Sequence, residues 1–376
     1  MKVYFKKIKD AHKGDDMILT LCFNTGRNAM GDSYKNIINQ FSHKDKIIVV
    51  IPDDYSSEEY DSQFFIKIKN NDGNKYISII KFVFKLRKLV ISNQVDKVLF
   101  YFDNSWINII LFFLLKNCNI TFYTWVHDPC LHLGENWKAK LTRKLMVKLV
   151  FPYIEKIIVS YQKGVQELVS NYGINEARIQ TIWLPEMLEL QFPELKKQEI
   201  EIKKYNYDII FFGRIEKYKG LNNLLEALNK LCKSGKRLNA LIIGKGRDED
   251  WIKGEAKRLN VTFINEYVDN FKLAQLIIQS RYVVLPYVSA TGSQTVQVAN
   301  YYNKPVLATP VGCFEEYIVE GVNGIFIKEL SSQAIIDAIN IMDMQYEQIK
   351  AQISAYSQNK FDINRIVTEI EKIMFY

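Results

Sequence analysis

Two cations five residues apart, Arg214 and Lys219, stand between an apolar run and an amphipathic segment. Ile209, Ile210, Phe211 and Phe212 predict a buried strand, which ends at Gly213. Gly220 then opens a helical pattern with Leu221, Leu224, Leu225 and Leu228 on one face. Strand, glycine, cations and helix start together make a seat for a diphosphate. The helix end offers N–H groups and the positive end of its dipole, and the cations neutralise the remaining charge. Cations in a turn before a helix are also ordinary solvated surface, so the reading depends on the residues downstream of them.

Further signals come in a fixed order. Leu241 to Gly246 is a strand ending in Gly244-Lys245-Gly246, a tight turn that lets backbone approach a ligand or simply joins strand to helix. After 263–268 comes a strand ending in Leu285-Pro286-Tyr287. A small polar loop is next, with Ser289, Ser293, Gln294 and Thr295. Such a loop before a helix cradles an anion or a sugar, although Ser293 and Thr295 also suffice as helix caps. Lys304-Pro305, Thr309 to Gly312, and Glu315-Glu316 close the series.

In this order the pieces resemble the nucleotide-sugar-binding domain of the glycosyltransferase group 1 family, retaining enzymes with the GT-B fold. The resemblance rests on Gly213-Arg214, Lys219-Gly220, Gly244-Lys245-Gly246, Leu285-Pro286-Tyr287, Asn303 to Val306, Thr309 to Gly312, Glu316 and Gly321 to Gly324, and covers 207–340. It implies that Arg214 and Lys219 hold the donor diphosphate, beside Gly213 and Gly244. Backbone near Tyr267 and Val268 would meet the base, and Glu316 would sit near the ribose. The two cations would stabilise the leaving diphosphate without a metal, so no metal cofactor is expected. The acids around Asp248 and Asp250 suit the start of a helix better than a metal site. One departure stands out. Such enzymes often carry two glutamates in the loop and helix before the Lys-Pro pair. The corresponding residues here are Ala290 and Val298, leaving Ser293, Gln294 and Thr295 as substitutes.

In the first half the chemistry gathers after the strand-like 120–126. His127-Asp128-Pro129 comes directly after it, with His132 and Glu135 close behind, so two of the four histidines lie here. A histidine beside a carboxylate at a strand's carboxyl end positions an acceptor hydroxyl or contacts a donor sugar. His127 and Asp128 are therefore catalytic candidates, and His132, Glu135 and Asp103 acceptor-binding ones. A His-Asp-Pro segment of this kind also resembles one in bacterial members of the family that act on polysaccharide precursors. Zinc would need a tighter ligand spacing. Asn24 to Gly31 is glycine-containing and brings Gly26 to the donor by resemblance, but it is no dinucleotide fingerprint.

These residues need two α/β domains to hold them. Strand-like runs at 18–23, 46–51, 97–102, 120–126, 156–159 and 179–183 form one series. Runs at 209–212, 240–243, 261–264, 282–285, 306–308 and 324–327 form a second. Helical patterns separate most of them, which predicts parallel sheets. The expected architecture is two doubly wound Rossmann-like domains facing a central cleft. An acceptor domain would span 1–190 and a nucleotide-sugar domain 207–355, joined by a charged linker at 191–206. A last helix at 356–376 would pack back on the first domain.

A length of 376 residues with 48% hydrophobic content supports two cores. The net charge of +8 suits anionic partners. Five scattered cysteines read as reduced thiols of a cytoplasmic protein, the N-terminus lacks a secretory signal, and the longest apolar stretch, 107–115, is too short to span a membrane. Two basic amphipathic segments could lie on the cytoplasmic membrane face: Lys81, Lys85, Arg87 and Lys88 up to Leu89, and Trp137 to Leu149 with Lys138, Lys140, Arg143, Lys144 and Lys148. No nucleic-acid signature accompanies them. The expected function is transfer of a sugar from a nucleotide diphosphate sugar to a glycan, plausibly lipid-linked. A nucleotide-sugar epimerase and a catalytically degenerate binding subunit are the alternatives.

Overall fold

Long runs of Val, Ile, Leu and Phe form strands buried on both faces in each half of the chain. The computed structural model describes residues 3–5, 17–22, 29–51, 54–61, 64–68, 75–101, 104–130, 137–259 and 261–375. The chain divides into two units, Met1–Leu184 with Ile363–Tyr376, and Pro185–Asp362.

The first unit holds eight strands: β1 (Val3–Phe5), β2 (Met17–Leu21), β3 (Ile47–Ile51), β4 (Phe64–Ile68), β5 (Val95–Phe100), β6 (Thr121–Val126), β7 (Ile154–Val159) and β8 (Ile179–Thr181). Their order in the sheet is β1-β4-β3-β2-β5-β6-β7-β8. All neighbours are parallel except β1, which pairs antiparallel with β4 at the edge. The sequence series lacked β1 and β4. The helix Ile363–Phe375 belongs to this unit; Glu371 accepts from Ser42 at 2.6 Å.

The second unit holds β9 (Tyr207–Phe212), β10 (Ala240–Ile243), β11 (Val261–Ile264), β12 (Ser280–Leu285), β13 (Val306–Ala308) and β14 (Gly324–Phe326). The order is β11-β10-β9-β12-β13-β14, all parallel. The chain leaves β9 in one direction and returns on its other side at β12. That reversal is the topological switch point, where sheets of this kind seat ligands at the carboxyl ends of the strands.

The segment 191–206 is not an open linker. It holds the helix Pro193–Glu201, whose Leu195 and Glu199 are buried in the second unit. Its charge pattern reads as solvated because Glu199 is paired far along the chain. The carboxylate lies 3.1 Å from Lys304 and 2.8 Å from Lys350. Burial alone would raise the Glu199 pKa, but the two ammonium groups hold it below the usual carboxylate range.

Candidate functional site

At the switch point, β9 ends in Phe212 and delivers Gly213 and Arg214 to the surface. The single turn Lys217–Lys219 leads to Gly220, and the helix Leu221–Lys233 starts there. Gly220 has φ +67°, and a Cβ on it would lie 1.8 Å from the Pro286 carbonyl oxygen. The same side of the turn is tied by a 2.8 Å bond from the Val288 N–H to the Tyr218 carbonyl. The loops after β9 and β12 are therefore locked backbone to backbone.

That lock brings Lys219 over Tyr287. The ammonium lies 3.6 Å from the Tyr287 ring centre and 4.9 Å from the Tyr218 ring centre. Arg214 donates to the Tyr218 hydroxyl at 2.9 Å. Tyr287 is 1% exposed and Arg214 is open to solvent. Among the described residues no carboxylate pairs with Arg214, so its charge remains available to an anion. Tyr287 stands out in the sequence only as the end of Leu285-Pro286-Tyr287; its approach to Lys219 arises when two distant strand ends meet.

The Gly244-Lys245-Gly246 turn packs backbone on backbone. A Cβ on Gly244 would sit 1.8 Å from the Gly213 carbonyl oxygen, and one on Gly246 1.9 Å from the Ile215 oxygen. These glycines let one loop press on the next. Glu249 and Asp250 occupy the first turn of the helix Glu249–Ala256, as acids at that end should. Among the described residues no group of three or more His, Cys, Asp or Glu side chains is placed to hold a metal ion.

The other donor-side candidates divide. Ser293 and Thr295 share a 2.9 Å hydroxyl contact at the start of the helix Thr295–Tyr301. Gln294 instead turns to its own unit, where its amide donates to the Pro185 carbonyl at 2.8 Å. Ala290 packs its carbonyl against Gly312, and Val298 is buried at 3% exposure. An acid at Val298 would sit in the core. Glu316 lies in the short helix Phe314–Tyr317, and its carbonyl accepts from Lys360. Tyr267 is 77% exposed, and Val268 precedes Asp269, which caps the helix Asn270–Ile278.

In the first unit β6 delivers His127, buried at 6% exposure. Its Nε2 lies 2.9 Å from the Tyr101 carbonyl. A carbonyl only accepts, so the proton sits on Nε2. Trp125 lies parallel to the imidazole at 5.4 Å, and Tyr101 packs at 4.9 Å. Burial lowers the His127 pKa to about 4, although Asp128 pulls the other way. His127 is thus a neutral imidazole at neutral pH, able to accept at Nδ1. Asp128 is half-buried, and its carbonyl accepts from Arg143 at 2.8 Å. Gly26, Asp103, His132 and Glu135 lie outside the described residues.

Arg143 was expected on the basic outer face of its helix, but it is 2% exposed. On the helix Trp137–Leu149 the buried residues are Arg143 and Met146, while Trp137, Leu141 and Leu145 are exposed. On the helix Lys75–Ser92, Lys81, Lys85 and Lys88 are exposed and Phe82, Leu86 and Leu89 are buried.

Comparison with known proteins agrees with this geometry. Residues 193–359 match the family described as Glycosyl transferases group 1. An uncharacterized glycosyltransferase of Methanocaldococcus jannaschii is 26% identical over 64% of this chain and 64% of its own length. A 41.2 kDa protein in the cps region of Klebsiella pneumoniae is 22% identical over 90% of this chain and 94% of its own. Among solved structures, Anabaena HepE in complex with UDP and glucose superposes with a TM-score of 0.74. It is 17% identical and covers 96% of this chain and 99% of that one. Sucrose-phosphate synthase of Thermosynechococcus elongatus superposes at 0.72, with 14% identity and coverage of 96% and 98%. Two sheets of this topology make the GT-B fold, and residues 193–359 of the chain are similar to the glycosyltransferase group 1 family.

Proposed function

We propose that the protein transfers a sugar from a nucleotide diphosphate sugar to a hydroxyl of a glycan, with retention of configuration and without a metal. The observation that carries this reading is the placement of Arg214 and Lys219 at the β9–β12 switch point, on the turn that opens the helix Leu221–Lys233. Solved relatives on this fold hold UDP and UDP-glucose, which supports a nucleotide-sugar donor.

In the reaction the bond from the anomeric carbon to the diphosphate oxygen breaks. The acceptor oxygen bonds to that carbon on the same face. The acceptor's proton passes to the departing phosphate oxygen. Negative charge grows on the diphosphate as it leaves, and preplaced cations stabilise it more in the transition state than in the ground state. Neutral His127 would accept a hydrogen bond from a sugar hydroxyl at Nδ1, which suits orientation rather than proton donation.

The acceptor side of the proposal is a lipid-linked glycan of a cell-surface polysaccharide, met at an anionic membrane face. Support comes from the helix Trp137–Leu149, which turns Trp137, Leu141 and Leu145 outward among exposed Lys138, Lys140, Lys144 and Lys148. A lipopolysaccharide outer core galactosyltransferase superposes with a TM-score of 0.65, 14% identity and coverage of 95% of this chain and 99% of that one. Among the described residues no helix is long and apolar enough to cross a membrane.

Ala290 and Val298, where enzymes of this kind often carry glutamates, favour a second reading as a binding subunit without turnover. Calorimetric titration of UDP, GDP, ADP and dTDP into wild type and Arg214→Ala tests the first part. Loss of one charged contact should weaken the tightest of them by about 10- to 100-fold. Equal binding to both proteins overturns the site. Hydrolysis assays of the matching nucleotide sugars with membrane lipid extract then separate transferase from binding subunit.

A further inference from the structure

We propose that the helix Trp106–Leu115 is a membrane wedge: its outer face enters the apolar layer of an anionic bilayer, between two basic helices that hold the headgroups. The proposal rests on the membrane-face reading above, which was drawn from the helix Trp137–Leu149 alone, and deepens it by naming the segment that inserts.

The helix Trp106–Leu115 joins β5 to β6. Its sequence, Trp-Ile-Asn-Ile-Ile-Leu-Phe-Phe-Leu-Leu, holds one polar side chain, Asn108. A surface helix of a soluble domain turns apolar residues inward and polar ones to water. Here the one polar residue is inside: Asn108 is 1% exposed. Leu111, Phe112 and Leu115 fill the core beneath. Trp106 and Phe113, seven residues apart and so on one face, are exposed. The helix is too short to cross a bilayer, so an apolar outer face of this kind fits the interface.

The flanking helices supply the charge. The chain steps the same way along the sheet from β4 to β5, β5 to β6 and β6 to β7. Right-handed crossovers therefore place the helices Lys75–Ser92, Trp106–Leu115 and Trp137–Leu149 side by side on one face. They share one core, and Arg87 Nε of the first donates to the Leu114 carbonyl of the second at 3.1 Å. The first and third helices carry five Lys or Arg each, the middle one none. A chain with 42 acidic residues places no Asp or Glu on any of the three. The outer stripes of the flanking helices are apolar too, with Phe84 and Ile91 on one and Trp137, Leu141 and Leu145 on the other.

This pattern selects the occupant. The partner must be apolar opposite the centre and anionic on both sides of it. A leaflet of anionic lipid, with acyl chains under a plane of phosphates, has that arrangement. A second copy of the chain does not. Two-fold pairing through the middle helix would set the basic helices of one copy against those of the other. Tyr153, exposed and with its ring 5.3 Å from that of Phe112, adds an aromatic of the kind that favours the headgroup boundary.

The test uses the full chain and vesicles of phosphatidylglycerol or phosphatidylcholine. Wild type should sediment with the first far more than with the second. Trp106→Ser with Phe113→Ser changes two exposed residues and should weaken binding to phosphatidylglycerol by about 10- to 100-fold. The loss should be the same at low and high salt, because apolar area and no charge is removed. Its thermal melt and its affinity for nucleoside diphosphates should match wild type. Trp106→Phe should still bind, but brominated acyl chains should quench its tryptophan fluorescence less than that of wild type. Unchanged vesicle binding by the double variant, or equal quenching of wild type and Trp106→Phe, overturns the wedge and leaves the docking of the helix Trp137–Leu149 standing. Equal sedimentation of wild type with both lipids overturns the charge match. A wild-type dimer that the double variant dissolves makes this face a contact between copies and overturns the proposal. Failure of wild type to bind either vesicle overturns the membrane-face reading and the wedge with it.

Discussion

The Arg143 guanidinium donates a 2.8 Å hydrogen bond to the Asp128 carbonyl from a side chain that is 2% exposed. A helix whose outer face carries Trp137, Leu141 and Leu145 therefore fixes, on its inner face, the residue after His127. Arg143→Met keeps most of the volume and removes the donor. It should cost about 1–3 kcal/mol, the penalty for a lost buried bond. It should also shift the His127 imidazole resonances. Urea midpoints and NMR read the two effects. Unchanged His127 resonances in a folded Arg143→Met variant would mean that the bond does not position the loop.

His127 should not titrate in the range where histidines usually do. Its folded pKa is lowered to about 4 by burial, while the unfolded value is near 6.5. A depressed value means that the unfolded chain binds the proton first. The stability due to a neutral His127 is therefore complete above about pH 6.5 and is lost as pH falls towards about 4. Its size is about 3 kcal/mol, from 1.36 kcal/mol per pKa unit. The imidazole resonances of His127 should stay flat from neutral pH down to about pH 5. A midpoint near 6.5 in the native protein would contradict its burial against Tyr101 and Trp125.

The outward stripe of the helix Trp137–Leu149 makes a further prediction. Each lysine near an anionic surface contributes about 1 kcal/mol. Replacing Lys140, Lys144 and Lys148 by Gln should therefore weaken binding to phosphatidylglycerol vesicles by about a hundredfold. Co-sedimentation at low and high salt checks this. Binding that ignores both the substitutions and the salt would exclude this face as the docking surface.

How far these features were legible from composition depends on the range of the interaction. Strands such as Ile47–Ile51 and Ala240–Ile243 announce themselves, because a strand buried on both faces must be apolar throughout. Phe64–Ile68 was missed because Lys67 interrupts the run, and Val3–Phe5 because it is a three-residue edge strand among lysines. The turn that carries Arg214 and Lys219 was legible from the strand, the glycines and the helical pattern around it. The contact of Tyr287 with Lys219 was not, although Leu285-Pro286-Tyr287 was read as a motif, because the two residues meet only when β9 and β12 pair. Arg143 and Glu199 were assigned to water by their charge, since nothing nearby in sequence reveals the Asp128 carbonyl or the Lys304 ammonium. Glycine spacing was readable around Gly244, but its reason, the Gly213 backbone, lay in another loop.

If Arg214 and Lys219 carry the charge stabilisation, chelation should leave turnover unaffected. In excess EDTA, kcat should remain within about twofold of its value in added Mg2+, because fixed cations already serve the leaving group. Lys219→Met should lower kcat more than it raises KM, since charge on the diphosphate is greatest in the transition state. Rescue of Lys219→Met by added Mg2+ would show that the protein's cations and a metal are interchangeable here, against the metal-free reading.

Buried Glu199 and Lys304, with half-buried Lys350, give the sharpest stability prediction. Glu199 and Lys304 are both 0% exposed, so neither charge has water to fall back on. Glu199→Gln leaves Lys304 buried with a lost counter-charge, which should cost about 3–5 kcal/mol. Burial already pushes the Lys304 pKa down to about 8 despite Glu199. Without the carboxylate it falls further, so the variant should regain stability as pH rises and the ammonium gives up its proton. Wild type should show an acid limb as well. Glu199 is held below the usual carboxylate range, so its stabilisation is present above about pH 4.3 and is lost as pH falls through its lowered folded value. Replacing the pair together, Glu199→Leu with Lys304→Met, removes both desolvated charges. It should recover most of the loss, because Lys350 is 22% exposed and still reaches Tyr205 at 2.8 Å. Denaturant midpoints across pH for the three proteins decide it. A Glu199→Gln variant as stable as wild type at neutral pH would mean that the helix Pro193–Glu201 is held by Leu195 and its neighbours rather than by charge.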